Sequence, residues 1–424
     1  MRILIATPVL PWPLNSGGNA AQFSTFKCLA EDHQFTLVCP VYDEAGMANA
    51  KVLLAELPNV NVRAVFCGTP PPPKPKLRIR MARSIVRCGR RLLAPPEPQT
   101  ALQPDSAGSL RYPFSPVSEN LIAALQDELS KGVDLCQAEF AEMLSLGSWF
   151  PVNLPKLFIH HQIHFVYAKR FLDTLGRNGY SSYLEAMMRT QELSYLQHYQ
   201  GVITFSDSDR QALLPYLAPE KLFVSPFPIP ADVGIADEVP LKFDGRFLFV
   251  AYEEHGPNRD ALEWLLATIW PDIYRQMPGV QLVVVGTWSE SAKSKLAVPG
   301  ISFSGYVRNL RATLQGGIML VPLRIGSGVR VKIIVAMAQG VPVVSTSIGC
   351  EGMPVRNGKD LLVRDDPGAF ASAAVQLAQT PELWRQLAQA AQKTVSKHYS
   401  PEGVRRRRNE IYATIVQNAR SGSA

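Results

Sequence analysis

Residues Pro322 to Gly352 read PLRIGSGVRVKIIVAMAQGVPVVSTSIGCEG, and this stretch decides how the rest of the chain is understood. Gly326-Ser327-Gly328 closely follows an apolar run and precedes a helical pattern from Val329 to Ala338. Glycines let backbone N–H groups approach an anion. A helix beginning there adds unpaired N–H groups and the positive end of its dipole, while Arg330 and Lys332 add full charges. The combination suits a diphosphate. Residues two apart on a helix do not share a face, so Arg330 and Lys332 converge on one ligand only if Arg330 still lies in the loop. Gly340-Val341-Pro342 then stops the helix, and Val343 to Thr346 is a short buried strand whose end carries Ser345, Thr346 and Gly349. Ligands of open parallel sheets gather at such strand ends.

Working outward, the second half opens with a strand at Phe247 to Tyr252, a helix at Pro257 to Ala267 and a strand at Val280 to Gly286, with further short strands at Ile301 to Phe303 and Ile318 to Leu323. The first half alternates in the same way: a strand at Ile3 to Thr7, a loop at Asn15 to Asn19, a helix at Ala20 to Glu31 and a strand at Phe35 to Cys39. Later strands are expected at Leu157 to His160 and Gly201 to Ser206. This β-α-β order favours parallel sheets. Pro226, Pro228, Pro230 and Pro240 stiffen a segment of low periodicity that reads as an interdomain connection. The prolines at 8, 11 and 13 break the first apolar run, so a strand is expected there rather than a secretion signal. No run approaches the length needed to span a bilayer.

At 424 residues, 46% of them apolar, the chain exceeds what one core usually serves and can build two. Its formal charge of +7 suits phosphorylated ligands, an anionic membrane or nucleic acid; no nucleic-acid-binding signature accompanies it, so no nucleic-acid partner is expected. The six cysteines show neither a CxxC pair nor metal spacing, which points to a reduced, cytoplasmic chain. From Thr69 to Pro116 the sequence turns Pro- and Arg-rich, an insertion within the first domain. Inside it, Lys74 to Leu93 carries eight Lys/Arg residues and no acid. If Leu77 to Leu93 is helical, its arginines cluster beside a broad apolar face, suited either to an anionic membrane or to packing into the domain.

The Pro322–Gly352 stretch resembles the family 4-like (group 1) retaining glycosyltransferases of the GT-B fold, and the resemblance runs over nearly the whole chain. The family segment reads P-L-x-x-G-x-G-x-R-x-K-x-x-E-A-M-A-x-G-x-P-V-V-x-T-x-x-G-x-E-G. Here it is matched by Pro322, Leu323, Gly326, Gly328, Arg330, Lys332, Ala336, Met337, Gly340, Pro342, Thr346, Gly349, Glu351 and Gly352. Two carboxylates of the family are absent: the one that typically holds the donor ribose is Val335, and its partner seven residues earlier falls at Ser327. The resemblance implies an α/β GT-B fold, two Rossmann-like domains facing an interdomain cleft. Their expected bounds are 1–230 on the acceptor side, with the insertion 69–116, and 231–399 for the nucleotide sugar. A final helix, 400–424, would cross back to the first domain.

The same resemblance implies where the chemistry sits. His161-Gln162, within LFIHHQIHF, occupies the positions of a family histidine and asparagine that end a strand of the first domain, so His161 joins Arg330 and Lys332 as a catalytic candidate. His160 and His164 are neighbours, but His160 and His161 point to opposite faces of an extended chain, which argues against a metal cluster. Donor-binding candidates are Gly326, Ser327, Gly328, Tyr306, Val307, Val335, Thr346, Gly349 and Glu351, with Tyr306 placed to stack on the base or to fill a surface gap. Gly17 and Gly18 are expected in an acceptor-side loop, or in a plain tight turn. Asp207-Ser208-Asp209 reads as a helix cap with first-turn acids rather than a metal site. After the first strand of the second domain, where many relatives place Arg and Lys, this chain has AYEEHGPNRDALEW. Asn258 and Asp260 read there as helix-start residues, and His255 and Arg259 as donor-site candidates.

The function expected is transfer of a sugar from a nucleotide-sugar donor to a glycan, lipid-linked or other glycoconjugate acceptor with retention. A catalytically silent glycosyltransferase-like scaffold, a sugar epimerase and a phosphorylase are the alternatives. No cofactor is expected beyond a dTDP, UDP or GDP sugar as co-substrate. Because Val335 cannot accept ribose hydroxyls, dTDP is preferred slightly among these. Polysaccharide biosynthesis in the cytoplasm, peripheral to the inner face of the membrane, completes the expectation.

Overall fold

A computed structural model describes residues 1–68, 116–174, 176–238, 242–307 and 309–421. Two parallel sheets organise them. The first contains β1 (Arg2–Ala6), β2 (Gln34–Val41), β3 (Val60–Phe66), β4 (Leu135–Glu139), β5 (Lys156–His160), β6 (Gly201–Thr204) and β7 (Leu222–Val224), in the order β3-β2-β1-β4-β5-β6-β7. The second contains β8 (Arg246–Val250), β9 (Gln281–Val285), β10 (Ile301–Gly305), β11 (Ile318–Val321), β12 (Val343–Ser345) and β13 (Leu362–Val363), in the order β10-β9-β8-β11-β12-β13. The central strands are short and almost wholly buried, as the continuous apolar runs of parallel strands between helical layers require, while the edge strands β3 and β10 are partly exposed. Both sheets wind outward from their first strand, so each has a crevice where the order reverses: between β1 and β4 in one lobe, between β8 and β11 in the other. Two parallel-stranded α/β lobes of this kind are the GT-B architecture that the sequence led us to expect.

The elements begin and end where local chemistry directs. Ser16 caps the helix Gly17–Leu29, accepting from the Asn19 N–H at 3.1 Å. Gly17 and Gly18 therefore form the first helical turn, a correction to the expected loop at 15–19. The helix Gly256–Trp264 does not stop at Ala267; it continues through a π-helical segment, Leu265–Ile269, into Trp270–Gln276. Pro271 lies at the start of that last piece, and a proline ring clashes with the carbonyl a turn earlier unless the helix widens. Ser206 caps the helix Asp207–Leu213, accepting from the Asp209 N–H at 3.1 Å, with Asp207 and Asp209 in its first turn.

The last helix, Pro401–Ser421, lies against the first lobe. Arg405 reaches Asp32 at 2.7 Å, Tyr412 donates to Gln137 at 2.9 Å, and Ile411 and Ile415 are buried. A Cβ on Gly201 would come within 2.4 Å of the Ile415 side chain, so that strand position is kept bare for the helix to sit on it. No helix among the described residues is long and apolar enough to cross a membrane. The basic segment 74–93, with its expected membrane face, lies outside the described residues.

Candidate active site

The loop from Leu323 and the helix Val331–Ala338 rise from the end of β11, at the crevice of the second lobe. Arg330 is the cap residue of that helix, with extended backbone (φ −91°, ψ 100°), so it still belongs to the loop. That is the condition under which Arg330 and Lys332 reach the same point. Arg330 uses Nη1 to hold the loop, donating to the carbonyls of Ser327 and of Gly328, the latter at 2.7 Å. Among the described residues, its Nε and Nη2 are buried without a partner. Lys332 Nζ donates to Asn258 Oδ1 at 3.2 Å and stands 5.6 Å from the centre of the Phe249 ring. Across the crevice, His255 precedes the helix Gly256–Trp264 at the end of β8.

Burial, then the Arg330 charge, pushes the Lys332 ammonium down to about 7. Burial followed by Lys332 and Arg330 pushes His255 down to about 4, and burial lowers even Arg330, to about 10. Each perturbation has the same physical origin: three basic groups share a desolvated crevice, and none forms a salt bridge among the described residues. Glu351 and Asp209 act on Arg330 only at longer range. Such a cluster is incomplete without an anion.

The opposite wall comes from the first lobe. His161 follows directly on β5, and its carbonyl oxygen would lie 2.8 Å from a Cβ at Gly328. Gly328 also has φ +78°, so both its backbone and its neighbour exclude a side chain. The His161 ring lies flat against Phe140, 3.7 Å between centres at 12°, and edge-on to Phe205 at 5.0 Å. Phe140 has φ +63°, rare for a residue with a side chain, and this unusual backbone supports the stack. His161 Nε2 is 2.9 Å from Glu139 Oε2 at the end of β4.

His160, by contrast, turns away and pairs with the buried Glu192 at 2.9 Å. Glu192 also accepts from the backbone N–H groups of His164 and Phe165, fixing the start of the helix His164–Thr174. His160 is part of that scaffold.

Several close approaches between the lobes shut the cleft. Arg170 makes a two-pronged ion pair with Glu351, each bond 2.6 Å, and also donates to the Gly326 carbonyl. Ser327 Oγ donates to Ile163 O at 3.4 Å, and a Cβ on Gly17 would touch Val331 at 3.2 Å. Thr346 commits its hydroxyl to the backbone, donating to Leu323 O and accepting from Gly349 N at 3.0 Å. Gly349 has no room for a side chain, since a Cβ would lie 2.3 Å from Ser345 Oγ. Val335 is 4% exposed and belongs to the apolar core. Tyr306 is 58% exposed at the end of the edge strand β10, with Val307 beside it. Arg170→Ala is expected to enlarge the ligand-free protein's radius of gyration in small-angle scattering, because it removes the principal polar tie between the lobes. An unchanged radius would show that apolar contact alone keeps the cleft closed.

Residues 244–380 match the family model described as glycosyl transferases group 1. That match falls on the second lobe. The whole chain superposes on solved GT-B structures at low identity. Sucrose-phosphate synthase from Thermosynechococcus elongatus is 14% identical, with a TM-score of 0.66 over 99% of this chain and 100% of that one. TarM of S. aureus, in a complex containing UDP, is 11% identical with a TM-score of 0.65 over 98% of this chain and 99% of that one. HepE of Anabaena, in complex with UDP-glucose, is 14% identical with a TM-score of 0.62 over 98% of this chain and 100% of that one. An uncharacterized 44.6 kDa protein in the cps region of Klebsiella pneumoniae is 25% identical over 181 residues, 39% of this chain. The chain spans 47%, about half, of that curated relative's length. The lobe matched by that family model contributes the basic crevice, and the other lobe contributes His161 and Glu139.

Sequence reasoning did not find Glu139, Phe140 or Arg170. Glu139 ends a strand that carries no motif, although Glu-Phe at the end of an apolar run was a polar strand terminus of the kind that lines a crevice. Nothing in the local sequence signalled Arg170.

Proposed function

We propose that the protein transfers a sugar from a nucleoside-diphosphate donor to a glycan or lipid-linked acceptor with retention of configuration. The observation that carries this reading is the crevice of Arg330, Lys332 and His255, basic, desolvated and, among the described residues, without an acidic partner. A diphosphate supplies the missing charge, and the free N–H groups of the helix Val331–Ala338 add to its hold. UDP and UDP-glucose bound to TarM and HepE agree with it. In the transfer, the bond from the anomeric carbon to the diphosphate breaks as the acceptor oxygen bonds that carbon on the same face. The departing diphosphate oxygen takes the acceptor's proton. Arg330 and Lys332 stabilise the charge that gathers there, the main contribution this chain makes to the rate. Tyr306 on the base, Glu351 on the donor and Gly17 and Gly18 beside the acceptor remain part of the proposal.

A silent scaffold is the second reading, favoured by Val335 in the apolar core and by Ser327 Oγ turned to Ile163 O, the two positions at which the family pattern it resembles has carboxylates. A thermal-shift screen of UDP, GDP, dTDP and their sugars, followed by measurement of nucleotide release with and without glycan acceptors, separates the two. Stabilisation with release supports the enzyme; stabilisation by a sugar nucleotide that is never consumed supports the scaffold.

The nucleotide itself is addressed by Val335→Glu. An apolar side chain leaves two ribose hydroxyls unpaired, and dTDP, with one fewer, loses less. Because Val335 packs in the apolar core, the variant is expected to melt lower than the parent and, in its folded fraction, to gain affinity for UDP and GDP relative to dTDP. The same affinities in parent and variant for all three nucleotides would remove residue 335 from ribose recognition.

A further inference from the structure

Asn258 and Asp260 read from sequence as helix-start residues, yet both turn their side chains to the loop that carries Arg330. Asn258 is 5% exposed, and its amide can sit in one orientation only. Nδ2 donates to the Tyr252 carbonyl at 3.0 Å, so Oδ1 faces Lys332 Nζ at 3.2 Å; a carbonyl only accepts and an ammonium only donates. Oδ1 is the one hydrogen-bond partner of that ammonium among the described residues, and the Phe249 ring of β8 holds its other side. The charged or titratable groups that face Lys332 are Arg330, from the loop, and His255, from the turn before the helix, and both are basic. Asp260 and Trp264, one turn apart, hold Arg324. The carboxylate receives both prongs of the guanidinium, Nε at 3.1 Å, and the indole ring lies 5.2 Å from its carbon. Arg324 precedes Gly326-Ser327-Gly328 and Lys332 follows it, so one helix grips the glycine loop on both sides.

We propose that the helix Gly256–Trp264 positions the leaving-group site: Asn258 aims the Lys332 ammonium into the crevice, and Asp260, through Arg324, anchors the other end of the glycine loop. Neither residue touches the ligand; each acts through a cation that the loop supplies. An amide suits the first task because it bonds the ammonium without cancelling its charge. A carboxylate there would form an internal ion pair with which an arriving diphosphate must compete. An aliphatic side chain would leave the ammonium without an acceptor, and the lysine would shed its proton more readily. This role rests on the proposed diphosphate, but the ionisation of Lys332 can be read in the empty protein.

The test is the pH titration of the Lys332 side-chain signal in the full chain with carbon-13-labelled lysine, without ligand, the signal being identified by its loss in Lys332→Met. The parent midpoint is expected at about 7. Asn258→Leu is expected to lower it by about one pH unit, and Asn258→Asp, which sets a carboxylate beside the ammonium, to raise it by about two. UDP binding, read by calorimetric titration, should weaken about fivefold at pH 7 in Asn258→Leu, because fewer molecules carry the ammonium. In Asn258→Asp it should weaken about tenfold at pH 7 through competition, and lose most of its pH dependence between 7 and 8. A general loosening of the fold would weaken binding in both variants without moving the midpoints in opposite directions; that result, or midpoints that coincide with the parent's, overturns the role of Asn258. Asp260→Asn should weaken UDP about threefold, the range for a partly exposed ion pair, and leave the Lys332 midpoint in place. Parent affinity in Asp260→Asn would overturn the anchoring of the loop. A parent protein that binds neither UDP, GDP nor dTDP would sink the proposed diphosphate site instead, and the lysine midpoints would still decide what Asn258 does.

Discussion

Arg330→Met is expected to weaken binding of UDP, GDP or dTDP by about 10- to 100-fold, the range for losing a hydrogen bond from a charged group. The ligand-free variant should melt no lower than the parent. The two expectations follow from one fact, the burial of Nε and Nη2 without a partner. An ungratified guanidinium destabilises the empty protein and becomes favourable only when an anion arrives. Methionine keeps the stem that packs beside the loop and removes the charge. It also removes the bonds to the Ser327 and Gly328 carbonyls, so some loosening of the loop works against the gain in stability. Calorimetric titration beside a melting curve reads both effects. Unchanged affinity in a folded variant would show that Arg330 is not a phosphate ligand.

Diphosphate affinity is expected to decline by up to about tenfold for each pH unit above 7, while the ligand-free protein becomes more stable over the same range. Lys332 accounts for both signs. Its ammonium is held at about 7 in the folded protein against an ordinary value of 10.5. Between those values the unfolded chain carries the extra proton, so raising the pH favours the folded state, and the gain is complete above 10.5. Below 7 the lysine is charged in both states, and the full cost of its burial beside Arg330 is present. A bound diphosphate prefers the ammonium, so it must recruit a proton once the pH exceeds 7. His255, held at about 4, adds the same kind of stability change at lower pH, between 4 and its ordinary 6.5. Titrations from pH 7 to 9, above the last ionisation of the nucleotide phosphate, isolate Lys332. The slope should vanish in Lys332→Met; a flat profile in the parent would contradict the placement of Lys332 at the diphosphate.

The basic end of the cleft was legible because its chemistry is local. Two glycines, a cap position and two cations within seven residues, Gly326 to Lys332, already specify a loop that can close on an anion. The alternation of strands and helices was legible for the same reason; most boundaries moved by a residue or two, and the larger shifts came where a cap or a proline intervened, at Ser16 and Pro271. The other wall was not readable. Gln22 and Glu139 are 117 positions apart, and Arg170 and Glu351 are 181 apart, so their meeting depends on how the lobes wind and close. Val335 illustrates the intermediate case: its sequence position pointed to a missing ribose contact, whereas its surroundings are those of a core valine.

The final helix gives the molecule an unusual order of assembly. Gly201, Gln137 and Asp32 belong to the first lobe, yet each is covered by a residue beyond 400. During synthesis the first lobe therefore waits, with part of its surface uncovered, until the residues beyond 400 leave the ribosome. The two lobes are also not separable by a single cut. A chimera that borrows the donor lobe of another enzyme would need to be spliced twice, once in the connection after β7 and again near Ser400. Otherwise the imported helix would meet a floor shaped for Tyr412 and Ile415.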